Sequence, residues 1–529
     1  MLNMQKYLLI FSLGIIFSTT SFAQPKVADP EKKDFMATLG FLSSNWMEGR
    51  EAGSKGSFMA ADYIFSQMMQ LGLKPGTGVG RSRNFFQDFD IVRYKTTKSE
   101  FTLIDQISKN QSRKGLIPQV DYVIETGPAD FHFEAPLVFV GYGISASHLG
   151  YNDYSRIDVT GCIVVVLDGF PGQNDKFSLG WKKFSGDSMY HFSSVETKQR
   201  NANGNGALAM ILVYPGDDSF KLKGKQVNKS IAKSAFIQFD REDIEYEDYN
   251  YTLPGDTASI PVCWLSSEAS VRLMAGSGID LKETAKRISA RTIPESTGMK
   301  GKLIGLSAEV KAEPLFVRNV LGHIQGTDTN KSIVIGAHYD HLGMRDDRIY
   351  NGSDDNASGV AGMLAIAGSW VKSGNQPPCN IIFAAWTAEE KGMLGSTWFV
   401  RNFDFSKQKI LLNVNFDMIS RSAEDDLEAR VISIGLLKGT DKIKELTNSQ
   451  NRTLKKPFEL DLWETSGSGG SDYAPFAIRK IPVMSFFSGY HNDYHTPRDV
   501  FSKADPVKME AILKLANRMI LDFLSTQIL

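Results

Sequence analysis

Cysteine is scarce in this chain. The 529 residues hold three, Cys162, Cys263 and Cys379, with no CxxC pair. That excludes a disulfide framework and a cysteine-based zinc or redox motif. An odd count leaves at least one thiol free or paired between chains, and the three read as buried apolar fillers. Charge of one sign is missing too: 59 Lys and Arg against 60 Asp and Glu give a net charge of -1. No global field recruits nucleic acid or an anionic membrane. Internal repeats and low-complexity tracts are absent. Past the N-terminus there is no apolar run approaching the ~20 residues that span a bilayer, so no stable membrane insertion is expected.

What is present is a long globular chain. Hydrophobic residues make up 42% and charged residues 22%, and 529 residues exceed one ordinary domain. The first residues read as a secretory signal. One positive side chain, Lys6, precedes the apolar run 7–17, and Ser21 and Ala23 set small residues at the -3 and -1 positions before Gln24. This predicts a signal peptide over 1–23, cleaved after Ala23, and an exported protein, periplasmic or extracellular. The run is too short for an anchor, and no cysteine stands at the cleavage point to carry a lipid.

Helical spacing of apolar residues predicts helices over 34–42 and 57–71, separated by a loop at 46–56. From about Pro136 short apolar runs bounded by turn residues read as buried strands, at 137–140, 163–167, 209–213 and 260–262. The charged stretch 221–250 reads as an exposed excursion, and 267–275 and 281–288 as helices. Roughly 124–290 therefore reads as a separate β-rich module. From Asn319 strands and helices alternate. Strands are expected at 333–336, 380–386, 410–416, 431–434 and 483–487, and helices at 359–372, 394–403 and 507–524. Such alternation implies a doubly wound α/β domain.

Open α/β sheets gather ligands at the carboxyl ends of their strands. Polar clusters sit there in this chain: Ala337-His338-Tyr339-Asp340-His341 after one strand, Glu389-Glu390 and Asp417 after two more, and Tyr494-His495 after the last. Asp354-Asp355 stands just before the helix at 359. Taken singly each has a commoner explanation: a hydrogen-bonding His, an acidic N-cap, a solvated Glu pair. Taken together, two imidazoles and several carboxylates at converging loop ends form the donor set of a zinc site. Only eight histidines occur in the chain, and His338, His341 and His495 fall in these clusters.

The chain resembles the M28 family of co-catalytic zinc peptidases, which includes bacterial aminopeptidases and glutamate carboxypeptidase II. The motifs are Ala337-His338-Tyr339-Asp340, Asp355-Asn356-Ala357-Ser358-Gly359, Glu389-Glu390-Lys391-Gly392, Asn415-Phe416-Asp417-Met418 and Tyr494-His495-Thr496-Pro497. Glu48-Gly49-Arg50 and Ser471-Asp472-Tyr473-Ala474-Pro475-Phe476 match weaker patterns. The resemblance implies a three-layer α/β/α peptidase domain with a mixed, mostly parallel sheet, formed by 24–123 and 291–529. It implies a β-rich protease-associated domain inserted over 124–290. It implies two Zn2+ ions and peptide substrates. His338 and Asp417 would hold one ion, Glu390 and His495 the other, and Asp355 would bridge them. Asp340 would orient His338, Glu389 would be the general base, and Tyr494 would stabilise the oxyanion. His341 matches no ligand position and reads as structural. Asp354 stands one residue too early to bridge. An aminopeptidase is the leading expectation. A carboxypeptidase or dipeptidase of the same chemistry is the alternative, followed by a non-hydrolytic scaffold or a glutaminyl-cyclase-like enzyme. Oligomeric state is left open.

Overall fold

The computed structural model describes residues 27–76, 84–106, 112–185, 192–214, 249–256, 260–467 and 469–526. The expected signal peptide and most of the excursion at 221–250 lie outside the described residues. Among them, no helix is long and apolar enough to cross a membrane.

Four neighbouring strands build the centre of the sheet: Val483–Phe487, Lys409–Phe416, Asp328–His338 and Cys379–Trp386, in that order and all parallel. They read as continuous apolar runs because both faces are covered. Ile333, Ile335 and Ala337 point into one hydrophobic cluster, and Val334 between them points into another. In the adjacent strand, Ile381, Phe383 and Ala385 take the first side, and Ile382, Ala384 and Trp386 the second. On the first face lie the helices Lys32–Leu42, Lys55–Gln70, Gly359–Ser373 and Pro506–Thr526. On the second lie Leu394–Asn402 and Ala474–Ile478. This is a three-layer α/β/α arrangement. It is mixed at its edges, since Val431–Leu437 pairs antiparallel with Val483–Phe487, and Ser296–Ile324 antiparallel with Cys379–Trp386. Gly362 lets two helices close up: a Cβ there would lie 2.7 Å from Leu513 Cδ2.

Two strands that the apolar pattern did not reveal join this core to the rest. Phe86–Asp105 and Ser296–Ile324 pair antiparallel from Val320↔Phe86 to Lys302↔Asp105. Phe85 and Val320 pack in the first cluster named above, whereas Phe101, Ile304 and Leu306 pack in a separate one. That cluster is built on Phe131–Val140, Ile163–Leu167, Ala209–Val213 and Val262–Leu265, which run parallel in sequence along the same sheet. Ile163, Val165 and Leu167 face one side of it and Val164 and Val166 the other. The last of these strands was expected at 260–262 and lies at Val262–Leu265.

Candidate active site

The parallel strands end at one edge of the sheet. His338 is the last residue of Asp328–His338, and Asp417 directly follows Lys409–Phe416. Glu389 and Glu390 lie three and four positions past Trp386. Tyr494 and His495 lie in the loop after Val483–Phe487. Asp355 arrives separately, in the turn Ser353–Ser358 that leads into the helix Gly359–Ser373.

These side chains converge on two donor groups that share Asp355. In the first, His338 Nε2 lies 3.4 Å from Asp355 Oδ1 and 3.4 Å from Asp417 Oδ1. In the second, His495 Nε2 lies 3.1 Å from Asp355 Oδ2 and 3.2 Å from Glu390 Oε2. His341 Nδ1 joins the second group, 2.9 Å from Glu390 Oε1 and 3.6 Å from Asp355 Oδ2. Each group is compact enough to hold a metal ion. Asp355 thus turns one oxygen to each group, as a bridging carboxylate must. Glu389 Oε2 stands 3.9 Å from His338 Nε2, beside the first group.

Electrostatics favour cations here. Asp340, Asp355, Glu389, Glu390, Asp417 and Asp472 crowd around three imidazoles, and Asp340, Asp355 and Asp472 are buried. Burial and neighbouring Glu390 push the Asp355 carboxyl up to about 7. Burial raises Glu389 well above the usual carboxylate range, with Asp472 adding to the effect. Burial would raise Glu390 too, but His495 and His341 outweigh it and hold that carboxylate well below its usual value. His495 is driven up to about 10 by Glu390 and Asp355 against the opposing effect of burial. Burial pulls His341 down to about 4. Carboxylates this crowded are costly to ionise together without cations. Imidazole nitrogens and carboxylate oxygens are the donors that zinc takes, so the residues present fit the implied ions.

A second layer of contacts holds the donors in place. Asp340 meets the His338 ring chiefly through its backbone. Its backbone carbonyl is 3.2 Å from His338 Nδ1, while its carboxylate stands 3.9 Å off. That carboxylate instead accepts the backbone N–H groups of Glu389 and Glu390, at 3.1 and 3.3 Å. Asp499 accepts the N–H groups of Asp354 and Asp355. Asp354 turns away from the donor groups and accepts from Ser420 N–H and Oγ at 2.7 and 2.8 Å, with His491 Nε2 at 3.3 Å. Tyr494 stacks on the His495 ring, 3.8 Å between centroids. Its phenol is raised well above its usual value by burial and then by Asp355.

Arg50 was legible only as part of a weak motif. It is wholly buried and donates to four carbonyls: Tyr339 at 2.7 Å, Leu42 at 2.6 Å, Asn351 at 2.6 Å and Gly352 at 2.8 Å. It therefore ties the loop carrying His338 and His341 to the loop carrying Asp355. His341 was likewise set aside by sequence, although its i+3 spacing from His338 is the one local signal that it shares the site.

The family model described as "Peptidase family M28" matches residues 319–520. The "Glutamate carboxypeptidase 2 homolog" of Caenorhabditis briggsae is 25% identical over 304 residues, covering 49% of this chain and 37% of that protein. "Leucine aminopeptidase 2" of Trichophyton rubrum is 31% identical over 178 residues, covering 32% of this chain and 33% of that protein. The chain thus spans little more than a third of the length of these curated relatives. Among solved structures, an aminopeptidase from Aneurinibacillus sp. strain AM-1 superposes with a TM-score of 0.52 at 19% identity, covering 93% of each chain, a likeness of fold. The matched stretch contains the whole of both donor groups, and over it the chain is similar to peptidase family M28.

Proposed function

We propose that the chain is an exported zinc exopeptidase with two metal ions, acting as an aminopeptidase. The observation that carries this is the pair of Asp355 oxygens, one turned to His338 and the other to His495. His338, Asp355 and Asp417 would hold one ion, and Asp355, Glu390 and His495 the other. Zinc, when bound, supplies an activated water at neutral pH and polarises the substrate carbonyl.

The remaining work falls to the chain. Glu389, beside the first donor group, takes a proton from the attacking water and delivers it to the leaving amine. Two contacts from Asp340 to the Glu389-Glu390 backbone separate these neighbours into base and ligand. Tyr494, held by its stacking on His495, donates from its hydroxyl to the carbonyl oxygen as negative charge develops there. The choice of an aminopeptidase is supported by the relative named leucine aminopeptidase. A carboxypeptidase is the second reading, favoured by the relative named for glutamate carboxypeptidase.

The strands over 124–290 are read as an inserted protease-associated domain, supported by two hydrophobic clusters built mainly on them, one of which Phe101, Ile304 and Leu306 also join. The signal peptide over 1–23 makes the protein periplasmic or extracellular. Hydrolysis of leucyl p-nitroanilide that stops with a chelator and returns with zinc is the expected result. Cleavage confined to N-blocked peptides would replace the aminopeptidase with a carboxypeptidase. No hydrolysis by a zinc-loaded protein would refute the enzyme reading.

A further inference from the structure

We propose that His341 is a fourth protein ligand at the metal position formed by Asp355, Glu390 and His495, which closes that position and leaves the His338 position as the open one. This rests on the two-ion reading above.

The spacing of donor atoms carries the inference. Ligands at about 2.0–2.1 Å from a tetrahedral zinc lie roughly 3.3 Å from one another. Around the second position the separations are 2.9 and 3.6 Å from His341 Nδ1 to Glu390 Oε1 and Asp355 Oδ2. They are 3.1 and 3.2 Å from His495 Nε2 to Asp355 Oδ2 and Glu390 Oε2. His341 therefore sits at a ligand's distance from the same two carboxylates that His495 addresses. Around the first position, among the described residues, His338, Asp355 and Asp417 gather.

The fold also fixes the His341 ring. Its backbone N–H donates to the Arg50 carbonyl at 3.2 Å. Gly352, at φ +55°, leaves room for it, since a Cβ there would lie 2.5 Å from the ring's Cγ and Cδ2. The ring is wholly buried and meets His495 edge-on, 5.6 Å between centroids. Its Nδ1 has no freedom to leave the two carboxylates.

The functional consequence is an asymmetric pair. A zinc with four protein ligands has no place for water, whereas one with three has. The open position is the one beside Glu389, where the water has to be activated. The closed position is the tighter, fills first and exchanges last.

The simpler alternative is that His341 only donates its Nδ1–H to Glu390, and two measurements separate the cases. Metal-free protein given one equivalent of zinc is read by X-ray absorption. A shell with two imidazoles, from His341 and His495, is expected; fewer than two overturns the assignment. Chelator competition then compares wild type with His341→Asn, whose amide can still donate to Glu390 but is a poor zinc ligand. A loss of about a hundredfold or more in affinity for the tighter ion is expected, at or beyond the upper end of what losing a supporting contact costs. Unchanged affinity in His341→Asn overturns the proposal. A wild type that binds no zinc overturns the two-ion reading itself.

Discussion

Replacing Arg50 by alanine should destabilise the protein strongly. The guanidinium is fully buried and its four acceptors are backbone carbonyls, not carboxylates. Burial lowers its pKa to about 10, against the pull of Asp355, Asp499, Asp340 and Glu390, so it stays charged at neutral pH. A hydrogen bond to a charged group contributes about 1.5–3 kcal/mol. Four such bonds do not add, and water entering the vacated space would satisfy some of the carbonyls. Each buried carbonyl left without a donor costs roughly 1–3 kcal/mol, so with some of the four rehydrated the expected loss is about 3–5 kcal/mol. In a domain of this size it corresponds to a fall in melting temperature on the order of 10 °C, followed by calorimetry of the metal-free protein. Arg50→Lys should recover part of it, because an ammonium reaches fewer of the four carbonyls. An Arg50→Ala variant melting within about 2 °C of wild type would refute the reasoning, because a clamp with that little effect is not holding the two loops together.

Asp355→Ala should abolish both bound ions at once, whereas Asp417→Ala should spare the second; metal analysis of the dialysed variants decides. A thiol reagent should label Cys162 alone in the native protein. Cys162 is partly exposed, whereas Cys263 and Cys379 are buried, and burial raises both of their thiols, Cys379 to about 12. Fast labelling of more than one thiol would contradict this. Lys198, buried with its ammonium on the Tyr142 and Leu167 carbonyls, is lowered by burial from 10.5 to about 8. The folded state then holds this proton less tightly than the unfolded chain, so stability rises with pH between those two values and is flat below the lower one. Wild type should gain stability relative to Lys198→Met as pH rises across that window, as read from urea midpoints.

The parallel α/β core was legible in sequence because its strands are buried on both faces. Cys379–Trp386 is buried at every residue, and such a run stands out without any alternation. The long pair Phe86–Asp105 and Ser296–Ile324 was not, because one side faces solvent. Residues such as Arg93, Lys95, Glu309 and Lys311 break up the apolar signal there. At the site, order along the chain and strand endings brought His338, Asp355, Glu389, Glu390, Asp417 and His495 to one edge. The resemblance to the family motif Asp355-Asn356-Ala357-Ser358-Gly359 also told Asp355 from Asp354, which the structure turns toward Ser420. What sequence could not give were contacts made only through the fold. The Arg50 guanidinium meets the Tyr339 carbonyl across 289 positions. His341 meets Glu390 across 49. The carboxylate of Asp340 serves the Glu389-Glu390 backbone.

The central claim is that Glu389 moves protons at a two-zinc centre that it does not itself hold. Its most direct test is to measure zinc content and leucyl p-nitroanilide hydrolysis together, in wild type and Glu389→Gln. Two zinc ions in both proteins, with the rate of the variant lower by about 10²–10⁴-fold, is the expected result. Equal rates, or a wild type that turns over substrate without bound metal, would contradict it.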